Sequence, residues 1–125
     1  MYSAQVLDHF EHPRNAGVVD DAEAQAQVEN PACGDVLELS ARGDGERITE
    51  IRFRAKGCVP AMACGSLITA MVWGRTIAEA SGVNRDDVVR EIGGLPGASG
   101  HAAQLAVDAL RAVLKKMAGR HEQHG

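Results

Sequence analysis

The sequence predicts an α+β fold, an antiparallel sheet with helices packed on one face. Three observations predict it. Apolar and polar residues alternate in short stretches before residue 57, the spacing of apolar residues changes to a helical one after it, and no strand–helix–strand alternation links the two halves.

The elements follow in order. Residues 3–10 carry Val6, Leu7 and Phe10 at helical spacing behind a Ser3 cap, and Pro13 stops that helix. Residues 22–29 alternate strictly, with Ala22, Ala24, Ala26 and Val28 on one side and Glu23, Gln25, Gln27 and Glu29 on the other. The period argues strand while Ala, Glu and Gln favour helix, so the residues alone leave both open. Residues 36–42 and 48–54 read as a hairpin around the Gly43-Asp44-Gly45 turn. Leu37, Leu39, Ile51 and Phe53 face one way, and Glu38, Ser40, Glu50 and Arg52 the other. Residues 61–73 put Leu67, Ile68, Met71 and Val72 on a helical stripe that ends at Gly74. Thr76 and Asn84 are N-caps for two short helices. After the Gly93–Gly97 loop, Ser99 or Gly100 opens a last helix bearing Leu105, Ala106, Ala109, Leu110, Val113, Leu114 and Met117.

The chain has 125 residues, 45% of them hydrophobic, which fits one domain over residues 1–118 with a frayed tail over 119–125. A net charge of -4 argues against nucleic acid as a partner. Nothing approaches the roughly 18 continuous apolar residues of a membrane span. The opening lacks the basic region of a signal peptide, and three cysteines make no secreted disulfide framework, so a reducing cytoplasm is expected.

Chemistry-bearing residues gather at one end of the expected sheet. Cys33 and Asp35 lie in Asn30-Pro31-Ala32-Cys33-Gly34-Asp35, between two strands. Cys58 follows Gly57 between the hairpin and a helix, Cys64 lies near that helix's start, and His101 opens the last helix. Helix N-termini favour thiolate and neutral imidazole, the protonation states that a metal requires. Sulfur with imidazole suits zinc or iron-sulfur centres, and a carboxylate such as Asp35 adds a harder, more exchangeable ligand. Each residue also has a plain reading. The cysteines pack as small hydrophobes, Asp35 is a turn residue and His101 a capping one. Cys33 and Cys58 are 25 positions apart and match no common zinc-finger spacing. No Ser-His-Asp order, paired acid/base carboxylates or nucleotide loop argues for an autonomous enzyme.

Taken together, the ordered motifs resemble the IscU/NifU iron-sulfur scaffold family. They are Tyr2-Ser3 through Val6-Leu7-Asp8-His9-Phe10, Pro13-Arg14-Asn15-Ala16-Gly17, Pro31-Ala32-Cys33-Gly34-Asp35, Gly57-Cys58 with Ala61, Ala63 and Ser66-Leu67-Ile68-Thr69, and Gly94-Leu95-Pro96 with His101, Leu105-Ala106 and Asp108-Ala109-Leu110. The resemblance implies a three-stranded antiparallel sheet with helices on one face, and reads residues 22–29 as strand. It implies a scaffold on which a 2Fe-2S cluster is built and handed to recipient apo-proteins. Cys33, Cys58, Asp35 and His101 correspond to the family's ligands, and a cysteine desulfurase supplies sulfur. An alternative is a mononuclear zinc or iron site in a SufU-like sulfur acceptor, and a third is an adaptor that binds no metal.

Two departures stand out. Ala102 occupies the position of the family's third cysteine, and Cys64 stands where a serine is common. Cys64 either restores a third thiolate or packs in the core, and a cluster shared in a homo-oligomer is another source of that ligand. Leu95-Pro96-Gly97-Ala98-Ser99 lacks the second proline and lysine of the family's chaperone motif, so an Hsp70-type chaperone is not expected as a partner. Arg111, Lys115, Lys116 and Arg120 gather near the end of the last helix, as a solvated face or a docking surface. Met71 and Trp73 read as core.

Overall fold

The computed structural model describes residues 1–122; the side chains of Ala98, Arg120, His121 and Glu122, and residues 123–125, lie outside the described residues. Helix α1 (Ala4–Glu11) is followed by strands β1 (Ala24–Asn30), β2 (Asp35–Gly43) and β3 (Ile48–Lys56), then helices α2 (Val59–Val72), α3 (Ile77–Ser81), α4 (Arg85–Glu91) and α5 (Gly100–Glu122). The three strands form an antiparallel sheet in the order β1-β2-β3. Residues 22–29 are therefore strand: paired to β2, Ala24 and Ala26 bury their small side chains, and burial overrides helix propensity. The last helix runs through Gly119 to Glu122.

The period-two pattern works as expected on the inner face. Ala26, Leu39 and Phe53 lie side by side across the three strands, and α2 and α5 cover them. Both short helices begin in capping boxes, Thr76 with Glu79 and Asn84 with Asp87.

Three placements differ from the sequence expectation. Helix α2 starts at Val59 rather than Ala61, because Cys58 is extended as the N-cap and Pro60 fits the first turn. Ser40 lies on the nominally solvent face yet is buried, since its hydroxyl accepts the Val19 N–H at 2.9 Å beneath a crossing segment. Trp73 is no core residue. It is 39% exposed, with the Arg52 guanidinium 5.7 Å from its ring centroid.

Segment 14–17 closes the β3 edge. Asn15 O accepts the Phe53 N–H at 3.0 Å, and Gly17 N–H donates to Phe53 O at 2.8 Å. Buried groups on α2 hold that segment: Ser66 Oγ accepts the Arg14 N–H at 2.8 Å, and Thr69 Oγ1 accepts from Asn15 Nδ2 at 3.2 Å. Closure at this edge fixes where α1 lies and keeps Tyr2 beside the end of the sheet that carries the cysteines.

Candidate metal centre

Three junctions at one end of the sheet carry the site: the loop 31–34, the Gly57-Cys58 step, and the start of α5 behind a single 3-10 turn over Gly97–Ser99. Gly34 turns the first loop with φ +74°, a left-handed conformation that favours glycine. Gly57, at φ +143°, passes so close to Asp35 that a Cβ there would overlap its carboxylate. That close approach puts Cys58 beside Asp35.

Asp35 joins the junctions. Its Oδ1 accepts the Cys58 N–H at 3.0 Å, and its Oδ2 accepts from the Cys58 thiol at 3.2 Å and lies 3.3 Å from His101 Nε2. Cys33 completes the group: its Sγ, an Asp35 oxygen and a His101 nitrogen all lie within 4.8 Å of one another. The four side chains line an open depression of about 400 Å³, together with Tyr2, Gly57, Pro60 and Ser99. Tetrahedral zinc holds its ligands about 3.5 Å apart, so Cys33, Asp35 and His101 need only a small inward shift to close on an ion, with Cys58 adjoining them through Asp35 Oδ2. Two sulfurs, one imidazole and one carboxylate suit zinc or iron.

Protonation differs from the helix-terminus expectation. Burial pushes the Cys58 thiol up, and the Asp35 carboxylate adds to this, against favourable backbone N–H groups of Ala61 and of Cys58 itself. Burial likewise raises Asp35, but the bonds from Cys58 and His101 outweigh it and hold the carboxyl below its ordinary range. Without a metal, therefore, Asp35 is the anion and Cys58 its protonated donor.

The structure brings Cys33, Asp35, Cys58 and His101 together and does not bring Cys64 to them. Cys64 has no exposed surface, packs in the core, and its thiol is pushed up to about 12 by burial and by its proximity to Cys58. Ala102, which the sequence resemblance sets in the place of a third cysteine, is 1% exposed. Sequence reasoning did not single out Tyr2 or Ser99 as site-lining residues. The available signal for Tyr2 was composition, since it is the chain's one tyrosine and directly precedes the Ser3 cap.

The NifU-like N-terminal domain model matches residues 1–124. The chain belongs to that family. It is 43% identical over 114 residues to the iron-sulfur cluster assembly scaffold protein IscU 1 of Archaeoglobus fulgidus, covering 91% of this chain and 74% of that protein. It is 37% identical over 125 residues to the scaffold protein IscU of Escherichia coli strain K12, covering 97% of each. The crystal structure of a nitrogen-fixing NifU-like protein (N-terminal) from Brucella abortus shares the fold, with a TM-score of 0.76 at 17% identity over 94% of each chain. No helix among the described residues is long and apolar enough to cross a membrane.

Proposed function

We propose that this chain is a scaffold that carries an iron-sulfur cluster as transient cargo and passes it to recipient apo-proteins. One observation carries the reading: Cys33, Asp35, Cys58 and His101, from three separate segments, converge in one open depression. They supply four donors without the missing third cysteine, enough for a 2Fe-2S unit with two protein ligands per iron. Asp35 is the exchangeable member, because a carboxylate holds iron less firmly than thiolate and recipient thiols can displace it. Cys64 belongs to the core in this reading.

The acceptor of sulfur from a cysteine desulfurase is then Cys33. It is exposed, whereas Cys58 is half-buried with its thiol on Asp35. The Cys33 thiolate attacks the outer sulfur of the donor persulfide; the donor's S–S bond breaks, a new S–S bond forms on Cys33, and the donor leaves as thiolate. Anaerobic reconstitution with ferrous iron, cysteine, a desulfurase and a thiol reductant that takes the persulfide sulfur to sulfide tests the proposal. The expected result is a visible cluster spectrum with about two irons per site. Failure under conditions that load an ordinary scaffold overturns it.

A mononuclear zinc or iron site in a sulfur-accepting partner of the desulfurase is the second reading. The tight grouping of the Cys33, Asp35 and His101 donor atoms favours it. Metal analysis of protein isolated anaerobically without added iron separates the two: one zinc and no acid-labile sulfide supports this reading, and iron with equal sulfide the first.

A further inference from the structure

The second half of α5, remote from the depression, forms a groove of about 320 Å³ with α3. Ile77, Leu114 and Ala118 give it an apolar lining, and Arg111 and Lys115 stand on its α5 side. At 1.5 Å per residue, Lys115 is about 20 Å along the helix from His101. A partner seated in the groove leaves the metal-facing end open.

The two cations are set close together at the edge of this groove. They sit one helical turn apart, where like charges repel. Neither makes an ion pair among the described residues; Arg14, Arg42, Arg52, Arg54, Arg75 and Arg90 do, while Arg47 and Lys116 donate to backbone carbonyls and Lys56 and Arg85 stand unpaired elsewhere. In a chain of net charge -4, an apolar groove is thus edged by two exposed positive charges without partners.

We propose that this groove docks an acidic peptide segment of a partner protein, one that seats an apolar side chain on Ile77, Leu114 and Ala118 and sets carboxylates against Arg111 and Lys115. Charge complementarity selects the partner's sign, and the apolar lining selects a peptide over a nucleic acid. Phosphate tracking needs an extended basic stripe, and nucleic-acid contacts make little use of an aliphatic floor. The proposal does not depend on what the metal centre holds.

The test is NMR titration of the ¹⁵N-labelled metal-free protein with a synthetic peptide alternating pairs of Glu or Asp with single Leu residues. Shifts are expected at Ile77, Ser81, Arg111 and Leu114, with none at Cys33 or His101. Arg111→Glu with Lys115→Glu is expected to weaken binding about tenfold or more while leaving metal uptake unchanged. A control peptide with Ser for Leu is expected to bind more weakly than the parent. No binding at millimolar peptide, shifts elsewhere, or indifference to the charge reversal overturns the proposal. Equal binding of the Ser peptide, or of phosphatidylglycerol vesicles, overturns it in favour of plain anion attraction. Self-association abolished by the reversal overturns it in favour of a second copy of the chain.

Discussion

Asp35 governs, residue by residue, the chemistry of the end that carries the proposed metal site. Without a metal its carboxylate receives the Cys58 thiol, so the three cysteines differ sharply in reactivity. With a disulfide reagent at pH 8, Cys33 is expected to react fast, Cys58 slowly, and Cys64 only after unfolding. A thiol whose pKa is pushed up to about 12 has a thiolate fraction of only ~10⁻⁴ at that pH, quite apart from its burial. Counting released chromophore against time, native and unfolded, checks the order; a fast Cys64 removes the core assignment. Gly57 is the other sensitive position. Gly57→Ala strains a backbone at φ +143° and drives a methyl into the Asp35 carboxylate, so a destabilisation of about 2–4 kcal/mol is expected together with loss of bound metal. Denaturant unfolding and metal analysis of the same sample read both effects. Which donors exist was legible from residue types and their glycine-rich contexts. Their protonation was not, because a helix N-terminus favours thiolate only until burial and a neighbouring carboxylate outweigh it at Cys58.

Between elements, α2 packs closely against the sheet at Gly65. A Cβ there would stand 2.9 Å from both Leu37 Cδ1 and Phe53 Cδ2. Gly65→Ala is expected to lose about 1–3 kcal/mol by overpacking despite its better helix propensity, measurable by urea unfolding. On the other side of α2, His9 Nδ1 lies 2.8 Å from Ser66 Oγ, which already accepts the Arg14 N–H. In the neutral ring with its proton on Nε2, Nδ1 accepts the hydroxyl hydrogen. Burial, with the Arg14 charge, lowers the His9 pKa accordingly. The unfolded chain thus binds this proton more readily, and stability falls as pH drops below about 6.5, the ordinary histidine value. The lowered carboxyls Asp8, Asp35, Asp44, Glu79 and Asp87 act in a separate window, below about 4. Melting scans at pH 7.5 and 5.5 should show a drop for the parent chain and a smaller one for His9→Gln; equal drops remove His9 as the cause. Caps and periods had shown most of the elements in advance, down to Thr76 and Asn84. Hidden from one sequence were Ser40 and Trp73, whose burial and exposure are decided by which distant segment crosses above them.

Across the whole molecule, the proposed metal site would act as a cross-link once an ion is bound. Asp35 already touches Cys58, 23 positions on, and His101, 66 positions on, so one bound ion ties the sheet, α2 and α5 together. A ligand that binds only the folded state stabilises it by RT ln(1 + [L]/Kd), about 2.7 kcal/mol at a hundredfold excess over Kd. For a chain of this size that is a rise of roughly 10 °C in Tm. Zinc titrated into the metal-free protein is expected to produce such a rise. Cys33→Ser is expected to lose most of it, because an exposed ligand is removed with little change in packing. Cys64→Ser melts lower from the start, since a hydroxyl enters the core at about 1–3 kcal/mol. Its zinc-induced shift should nevertheless match the parent's, because the substituted atom lies outside the ligand set. Comparing shifts rather than absolute melting points separates packing from coordination. If Cys33→Ser keeps the full shift, zinc is held elsewhere and the convergence of the four donors loses its thermodynamic meaning.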